Sequence, residues 1–235
     1  MISFLQNSWV AFLLAAVVAY LLGSVNFAII VTRRHSGKDI RSFGSGNAGA
    51  TNVLRSQGKG PAALTFIGDL LKSMLSVFLG GTFLREIQLA PSLAAAESLM
   101  YNEENLWLVG AYLAGVCCIF GHMYPLFFGF RGGKGVMTTL GMTLLLDWKT
   151  ALIMLVVFII VVAITRMVSL GSIIAGIVMP FATFAMRYAV DGQRWETAAF
   201  CSAVAVLIAV VVIIKHGENI KRIINGTESK LGRGK

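Results

Sequence analysis

The feature that most constrains this chain is a succession of long apolar runs separated by short polar segments. Hydrophobic residues make up 57% of the 235 residues and charged residues only 13%, whereas a soluble domain carries about 25% charged residues. A helix needs about 20 apolar residues to cross a bilayer, and several runs reach or approach that length. The sequence therefore predicts an all-α integral membrane protein.

We predict seven transmembrane helices in a single polytopic domain that comprises residues 1–235. The fourth and fifth are short, and together they could instead form one apolar block interrupted only around Asp147 and Lys149. The first run is expected to remain as an anchor, because no Lys or Arg precedes Arg33 to form the basic region of a signal peptide. The predicted spans are residues 8–32, 61–85, 105–121, 133–147, 150–166, 169–190 and 196–214.

The distribution of basic residues decides between six and seven spans. The chain has 20 Lys and Arg residues, and such residues concentrate in the cytoplasmic loops of membrane proteins. Seven spans with the N-terminus outside place most of them on the cytoplasmic side, whereas six spans divide them almost evenly and leave Asp147 and Lys149 in lipid. Seven spans are therefore favoured, with a cytoplasmic C-terminus and with residues 86–104 as an external loop or surface helix.

This topology brings four polar segments, rich in Gly, Asn, Ser, His and Lys, to the cytoplasmic face. The net charge of +9 favours anionic partners such as lipid headgroups, phosphates or carboxylates. Nucleic acid is not expected as a partner, since few residues are free to form a docking surface. The four segments are residues 33–60, 121–135, 166–172 and 215–235.

The first polar segment contains GSGNAGATN at residues 44–52. Its GxGxxG spacing does not indicate a dinucleotide site, because the pattern follows a membrane-length run and no β-strand. Glycines let backbone N–H groups converge on an anion, and guanidinium groups suit phosphate. We therefore predict a phosphate-binding loop, with a flexible solvated loop as the alternative. The predicted donors are Arg41, Gly44, Ser45, Gly46, Asn47, Gly49, Thr51, Asn52 and Arg55.

The second polar segment surrounds Lys134 with Gly132, Gly133 and Gly135, at the start of an apolar run. It is not a Walker A loop, because Gly129 is one residue too close and no Ser or Thr follows the lysine. A lysine among glycines at a helix N-terminus nevertheless predicts an anion site, since the helix adds partial positive charge.

The last polar segment, residues 215–235, follows the last predicted span. His216 and Asn219 are three residues apart, which predicts that they share one helical face, and Glu228 is expected to pair with a cation and hold the tail in place. A generic basic tail is the alternative. Ser169 and Ser172 begin the sixth span on the same side, where helix capping explains one of them and Ser169 is a candidate phosphate ligand.

Two charges are predicted inside the second span. Asp69 and Lys72 are three residues apart, and charges at that depth are costly and usually paired, so they are expected to form a supporting ion pair. His122, considered alone, is more often a structural residue than a catalyst. The three cysteines lack metal-ligand spacing, and neither a metal nor a cofactor is predicted.

Three motifs carry a family resemblance. GSGNAGATN, with the preceding DIR and with Arg55, resembles the first motif of the bacterial acylphosphate:glycerol-3-phosphate acyltransferase (PlsY) family. GHMYPLFFGFRGGKGV resembles the second motif, and HGENIKR with the later GTE resembles the third. The motifs occur in the family's order, and the resemblance covers nearly the whole chain.

The resemblance implies that a fatty acyl phosphate donates its acyl group to the 1-hydroxyl of glycerol 3-phosphate, giving lysophosphatidic acid and phosphate in the first acylation of phospholipid synthesis. Direct attack without a covalent acyl-enzyme is expected. Lys134 and its glycines are assigned to the acyl phosphate, whereas Ser45, Arg55 and Asn219 are expected to hold glycerol 3-phosphate or the carbonyl oxygen. His216 is the candidate base, with a substrate phosphate oxygen as the alternative.

The expected setting is the bacterial cytoplasmic (inner) membrane, with the active site at its cytoplasmic face. Expected partners are acyl phosphate, glycerol 3-phosphate, membrane lipid and the upstream enzyme that produces the acyl phosphate. The alternative function is a membrane transporter for an organic phosphate anion. It is disfavoured because transporters often have repeated halves and midplane polar sites, whereas the polar segments here lie at one face.

Overall fold

The computed structural model describes residues 8–86 and 103–232, and within these ranges the regular structure is helical, without β-strands. The chain divides into two compact units, with the boundary between Leu146 and Asp147. The single domain over residues 1–235 stays a prediction. The predicted loop at residues 86–104 lies almost entirely outside the described residues.

The first unit is built around α5, which packs against α1 and α4 through small residues, as is common for helices in membranes. A Cβ on Gly80 of α4 would lie 2.8 Å from Gly110 O of α5, and a Cβ on Gly121 would lie 2.9 Å from Ser24 N of α1. The helices of this unit are α1 (Ser8–Ser24), α2 (Phe27–Ser36), α3 (Ala50–Gln57), α4 (Lys59–Glu86), α5 (Glu103–Met123) and α6 (Val136–Leu146), with 3-10 turns at Ile40–Ser42 and Leu126–Phe128.

The first apolar run contains a helix break that differs from the continuous span predicted at residues 8–32. α1 ends at Ser24, and α2 begins at Phe27. Asn26 is fully buried between them and caps α2, because its Oδ1 accepts a hydrogen bond from Ile29 N over 3.1 Å. Asparagine is a favourable N-cap residue, and here it starts a new helix within a run that extends over Val10–Ser36.

The second unit begins with a well-capped helix. Asp147 Oδ1 accepts hydrogen bonds from the backbone N–H groups of Lys149 and Thr150, and its Oδ2 accepts from Thr150 Oγ1 over 2.6 Å. This cap separates α6 from α7, so the apolar residues on either side do not form one continuous helix. The helices of this unit are α7 (Trp148–Thr165), α8 (Val168–Ala185), α9 (Trp195–Lys215) and α10 (Gly217–Ile224), with a π-helical turn at Met186–Val190.

Six helical segments are long and apolar enough to cross a membrane, which confirms the prediction of a multi-pass, all-helical integral membrane protein. The predicted fourth span at residues 133–147 is shorter than expected, because its first residues belong to a loop and α6 has only 11 residues. At 1.5 Å per residue, α6 extends over about 16 Å, roughly half of the hydrocarbon core. Seven crossings and the orientation of the termini stay predictions. The six segments are Val10–Ser36, Lys59–Glu86, Leu106–Phe128, Trp148–Thr165, Val168–Val190 and Trp195–Lys215.

Candidate active site

The loop of the first motif folds around the buried side chain of Asn52. Its Nδ2 lies within hydrogen-bond distance of three backbone carbonyls, those of Ile40 (3.3 Å), Phe43 (3.0 Å) and Asn47 (3.0 Å). Its Oδ1 accepts a hydrogen bond from Ser45 N over 3.3 Å. The predicted ligand Asn52 therefore has partners inside the protein, and it orients the loop that carries Ser45.

Two glycines allow the chain to turn around this amide. Gly44 and Gly46 have positive φ angles of 51° and 68°, a region that glycine adopts at little cost. A Cβ on Gly44 would lie 2.5 Å from Asn52 Oδ1, so Gly44 also permits the close approach of Asn52 to Ser45 N. These glycines shape the loop, and their role as anion ligands stays a prediction.

Arg41 joins the first motif to the second. Its Nε and Nη2 donate to the two oxygens of Asp39 over 3.0 and 2.9 Å, and its Nη1 donates to the backbone carbonyls of Phe128 (2.7 Å) and Arg131 (3.1 Å). The hydrogen bond from Arg41 holds the pKa of Asp39 well below its usual range, against the opposing effect of burial. These donors join the two loops, and the predicted role of Arg41 in binding phosphate stays a prediction.

The glycines of the second motif are folded back onto the end of α5. Gly132 N donates to Met123 O over 3.2 Å, and Gly133 N donates to His122 O over 3.1 Å. Gly135 has a φ angle of 82° and ends the loop just before α6. The amides of Gly132 and Gly133 thus have protein acceptors, and the assignment of Lys134 to a substrate phosphate stays a prediction.

The remaining predicted donors of the first unit lie in or beside α3. Ser45 and Arg55 are exposed, and Asn47 and Thr51 are half-buried. Gly49 is the N-cap residue of α3; glycine has no side chain to cap the helix, so the first amides of α3 depend on other acceptors. Ser45 and Arg55 are therefore predicted donors of the first motif with exposed side chains, and their role in binding phosphate stays a prediction.

A buried polar cluster lies behind the two motifs. Lys72 Nζ is 2.8 Å from Asp69 Oδ1, as expected for the predicted ion pair, and 3.1 Å from His122 Nδ1. The contact of His122 with this pair was not predicted from the sequence. A signal was available, because a charge pair inside an apolar helix needs polar partners from neighbouring helices.

The third motif forms a network around Glu228 in the second unit. Glu228 Oε1 accepts from Ser169 Oγ and from Asn219 Nδ2, each over 2.7 Å, and Oε2 accepts from Arg222 Nε over 2.8 Å. Burial raises the pKa of Glu228, but the hydrogen bonds from Ser169, Arg222 and Asn219 outweigh it, and the net effect lowers the pKa below its usual value. The network ties the tail to α8 and α10 and orients Asn219.

His216 and Asn219 were predicted to share one face of a single helix. His216 instead lies at the junction between α9 and α10, and only Asn219 is within α10. Both residues are nevertheless buried in the second unit. His216 Nδ1 is 2.8 Å from Val212 O. A carbonyl oxygen only accepts, so Nδ1 carries the hydrogen of this bond, and in the neutral ring Nε2 has the lone pair. The arrangement gives the imidazole a defined tautomer.

The candidate residues thus belong to two sets. Ser45, Arg55 and Lys134 are in the first unit, where Arg41 joins the two motif loops, whereas His216 and Asn219 are in the second. Among the residues that the structure describes, no group of His, Cys, Asp and Glu side chains has the arrangement of a metal site.

Comparisons with known proteins identify the family. Residues 13–226 match the family model described as glycerol-3-phosphate acyltransferase. A glycerol-3-phosphate acyltransferase of Clostridioides difficile (strain 630) is 40% identical over 225 residues, covering 96% of this chain and 98% of that protein. One from Brucella anthropi is 39% identical over 221 residues, covering 93% of this chain and 92% of the relative.

Solved structures agree with the sequence relatives. The crystal structure of PlsY, an integral membrane glycerol 3-phosphate acyltransferase, in its glycerol 3-phosphate form matches with a TM-score of 0.73 and 32% identity, covering 94% of this chain and 96% of that one. Its lysophosphatidic acid form matches with a TM-score of 0.71 and 31% identity, covering 94% and 95%. The chain therefore belongs to the glycerol-3-phosphate acyltransferase family of integral membrane enzymes of phospholipid synthesis.

Proposed function

We propose that the protein transfers a fatty acyl group from an acyl phosphate to the 1-hydroxyl of glycerol 3-phosphate, giving lysophosphatidic acid and inorganic phosphate. The observation that supports glycerol 3-phosphate as the acceptor is the similarity to PlsY, whose crystal structures are a glycerol 3-phosphate form and a lysophosphatidic acid form. These two molecules are an acceptor and its monoacylated product. Membership of an acyltransferase family also decides against the transporter alternative.

An acyl phosphate is the donor that fits the residues. It is a mixed anhydride, so phosphate leaves readily and no covalent intermediate on the enzyme is required. The sequence has no GxSxG nucleophile elbow. Catalysis then rests on positioning and on stabilisation of charge, for which cationic groups beside glycine-rich turns are suited.

In the proposed reaction, the hydroxyl oxygen of glycerol 3-phosphate attacks the acyl carbonyl carbon, and the bond between that carbon and the phosphate oxygen breaks. Lys134 binds the phosphate that leaves, and Ser45 and Arg55 hold glycerol 3-phosphate or the carbonyl oxygen. Asn219, oriented by Glu228, completes this set. His216 accepts the hydroxyl proton at Nε2, consistent with its bond from Nδ1 to Val212 O; a phosphate oxygen of the substrate is the alternative base.

The proposed setting follows from the charge distribution. Seven crossings, with α6 as the short fourth one, place the N-terminus outside and the three motifs at the cytoplasmic face of a bacterial inner membrane. An upstream enzyme would make the acyl phosphate, which would reach the site through the membrane. The product would remain in membrane lipid.

The test uses purified protein in detergent or vesicles. With acyl phosphate and glycerol 3-phosphate, we expect lysophosphatidic acid and inorganic phosphate in equal amounts, whereas acyl-CoA or acyl carrier protein as donor should support no turnover. Omission of glycerol 3-phosphate should stop phosphate release. A burst of phosphate without the acceptor would indicate an acyl-enzyme and contradict direct attack, and turnover with acyl-CoA would contradict the donor.

A further inference from the structure

Lys72 lies at the centre of a buried group of polar atoms in the first unit. Its Nζ is 2.8 Å from Asp69 Oδ1, 3.1 Å from His122 Nδ1, 3.0 Å from Gly23 O and 2.7 Å from Val25 O. An ammonium group has three N–H bonds, and the Asp69 carboxylate with the carbonyls of Gly23 and Val25 supplies an acceptor for each of them. Lys72 is 7% exposed and Asp69 1% exposed, so this ion pair is buried on the protein-facing side of a largely apolar helix.

Two of these acceptors belong to the helix break in the first apolar run. The last carbonyls of a helix lack partners within that helix, and in a bilayer they cannot turn to water. Lys72 supplies the donor to Gly23 O and Val25 O at the end of α1. The charge on α4 therefore stabilises the break whose other side is capped by Asn26.

His122 connects the ion pair to the second motif. Its Nδ1 lies 3.1 Å from Lys72 Nζ and 3.5 Å from Asp69 Oδ1, so the imidazole ring contacts both members of the pair. Gly133 lies directly against this ring and donates its N–H to His122 O. Lys134 follows immediately in the chain, so the position of His122 sets where the Lys134 side chain begins.

The first motif touches the same place. A Cβ on Gly133 would lie 2.6 Å from Ala48 O, so the two motif loops are in backbone contact here. Asn26 Nδ2 also reaches Ala48 O, over 3.5 Å. The helix break, the Lys72 cluster and both glycine loops therefore form one continuous set of contacts.

We propose that Lys72 is a positioning residue for the second motif: together with Asp69 and His122 it locks the glycine loop at 132–135 onto the helix break and thereby sets the position of Lys134. A buried ion pair contributes little net stability compared with apolar residues of similar size, so positional specificity is the gain that this cluster provides. The proposal rests on the proposed function in assigning Lys134 to the phosphate of the acyl donor.

The decisive comparison uses Lys72→Met and the double variant Asp69→Asn/Lys72→Met. The single variant leaves the Asp69 carboxylate buried without its cation, so both thermal stability and activity should fall. The double variant removes that unpaired charge, so its Tm should return towards that of the wild type. Its contact to His122 is still missing, however, and a displacement of about 1 Å at a reacting group can cost about 100-fold in rate. We expect its KM for acyl phosphate to stay raised by about 10-fold or more.

Gly80→Ala provides the matched control. It disturbs the packing of the same two helices, α4 and α5, where a Cβ would lie 2.8 Å from Gly110 O, but it does so about 12 Å along α4 from Lys72. We expect it to lower Tm without changing either KM. Equal changes of KM in Gly80→Ala and in the double variant, or recovery of activity together with Tm in the double variant, would show a general stabilising role and overturn the proposal.

Hydrogen exchange separates this proposal from the proposed reaction. The amides of Gly132 and Gly133 should exchange faster in the double variant than in the wild type or in Gly80→Ala, without any substrate present. If the wild type fails to use acyl phosphate but this acceleration is found, the donor is wrong and the positioning role of Lys72 stands. Unchanged exchange of the segment would overturn the positioning role itself.

Discussion

Asn219 donates from Nδ2 to Glu228 Oε1 over 2.7 Å, and the same oxygen accepts from Ser169 Oγ. The pair joins α10 to the tail, and Arg222 completes it at Oε2. One buried carboxylate therefore orients a proposed catalytic amide and holds the end of the chain against the second unit.

Glu228→Gln should destabilise the protein by about 2 kcal/mol, because a hydrogen bond to a charged group contributes about that much. The glutamine NH2 group would also face one of the groups that now donate to the carboxylate. The effect should depend on pH. The folded-state pKa of Glu228 is lowered, so its contribution is complete above the ordinary glutamate pKa and declines as the pH falls through the folded value. Tm measured against pH for both proteins should show curves that converge in acid. Parallel curves would contradict a stabilising role for the ionised carboxylate.

His216→Ala should lower kcat by about 100-fold or more, the contribution typical of general base catalysis. A base must be unprotonated to act, so the wild-type rate should fall towards acid pH, and this limb should be absent in the variant. His35→Ala is the matched control, since His35 is exposed at the end of α2. A variant that keeps the wild-type pH profile would assign the base to a substrate phosphate oxygen.

The helices were predictable because the bilayer imposes a length on apolar runs, and the sequence shows those runs directly. The break at Asn26 was missed because hydropathy is insensitive to one amide, although an Asn at that position is an N-cap signal. The span that contains α6 was predicted too long, because glycines before the helix are compatible in composition with a membrane span. In the structure the backbone of Gly132 and Gly133 instead forms hydrogen bonds with the end of α5.

The candidate site shows the same division. Residue type alone identified Arg41 and Asn52 as donors, but it could not indicate which acceptors they reach. Arg41 uses the carbonyl of Phe128, which lies 87 residues further along the chain, and Asn52 uses the turns of its own loop. Such tertiary partners are absent from local sequence patterns, so the sequence did not indicate that these two donors hold the motif loops in place.

Arg41→Lys should impair activity although it keeps the charge. Lysine cannot reproduce the fork that joins Asp39 to the carbonyls of Phe128 and Arg131, so the two motif loops should separate. We expect kcat/KM to fall by about 10-fold or more and Asp39→Asn to give a similar loss. The double variant should be little worse than either single one, because the residues act as a unit. Additive losses measured in steady-state assays would instead assign Arg41 a separate contact with substrate.

The proposed orientation can be tested at the two ends of α9, which extends over about 31 Å. Glu196→Cys places a thiol at an exposed position in the first turn of α9, and Glu218→Cys places one at an exposed position in α10, just beyond the other end of α9. A membrane-impermeant thiol reagent should label the first in intact spheroplasts and the second only after lysis. The wild-type protein is the control, because it reports any labelling of the native cysteines, of which Cys118 and Cys201 are buried. The reverse pattern would place the C-terminus outside.

Lys134→Ala should abolish measurable turnover, because no other side chain of the 132–135 loop carries a charge to balance the phosphate that leaves. The protein should remain folded, since the amides of Gly132 and Gly133 keep their bonds to α5. Arg131→Ala is the matched control: it removes one positive charge nearby, while the contact with Arg41 uses only its backbone carbonyl. We expect that control to retain most of its activity in a phosphate-release assay, with both variants giving a wild-type Tm. Near-normal turnover of Lys134→Ala would remove this lysine from the site, and equal loss in both variants would assign the effect to net charge at the membrane surface.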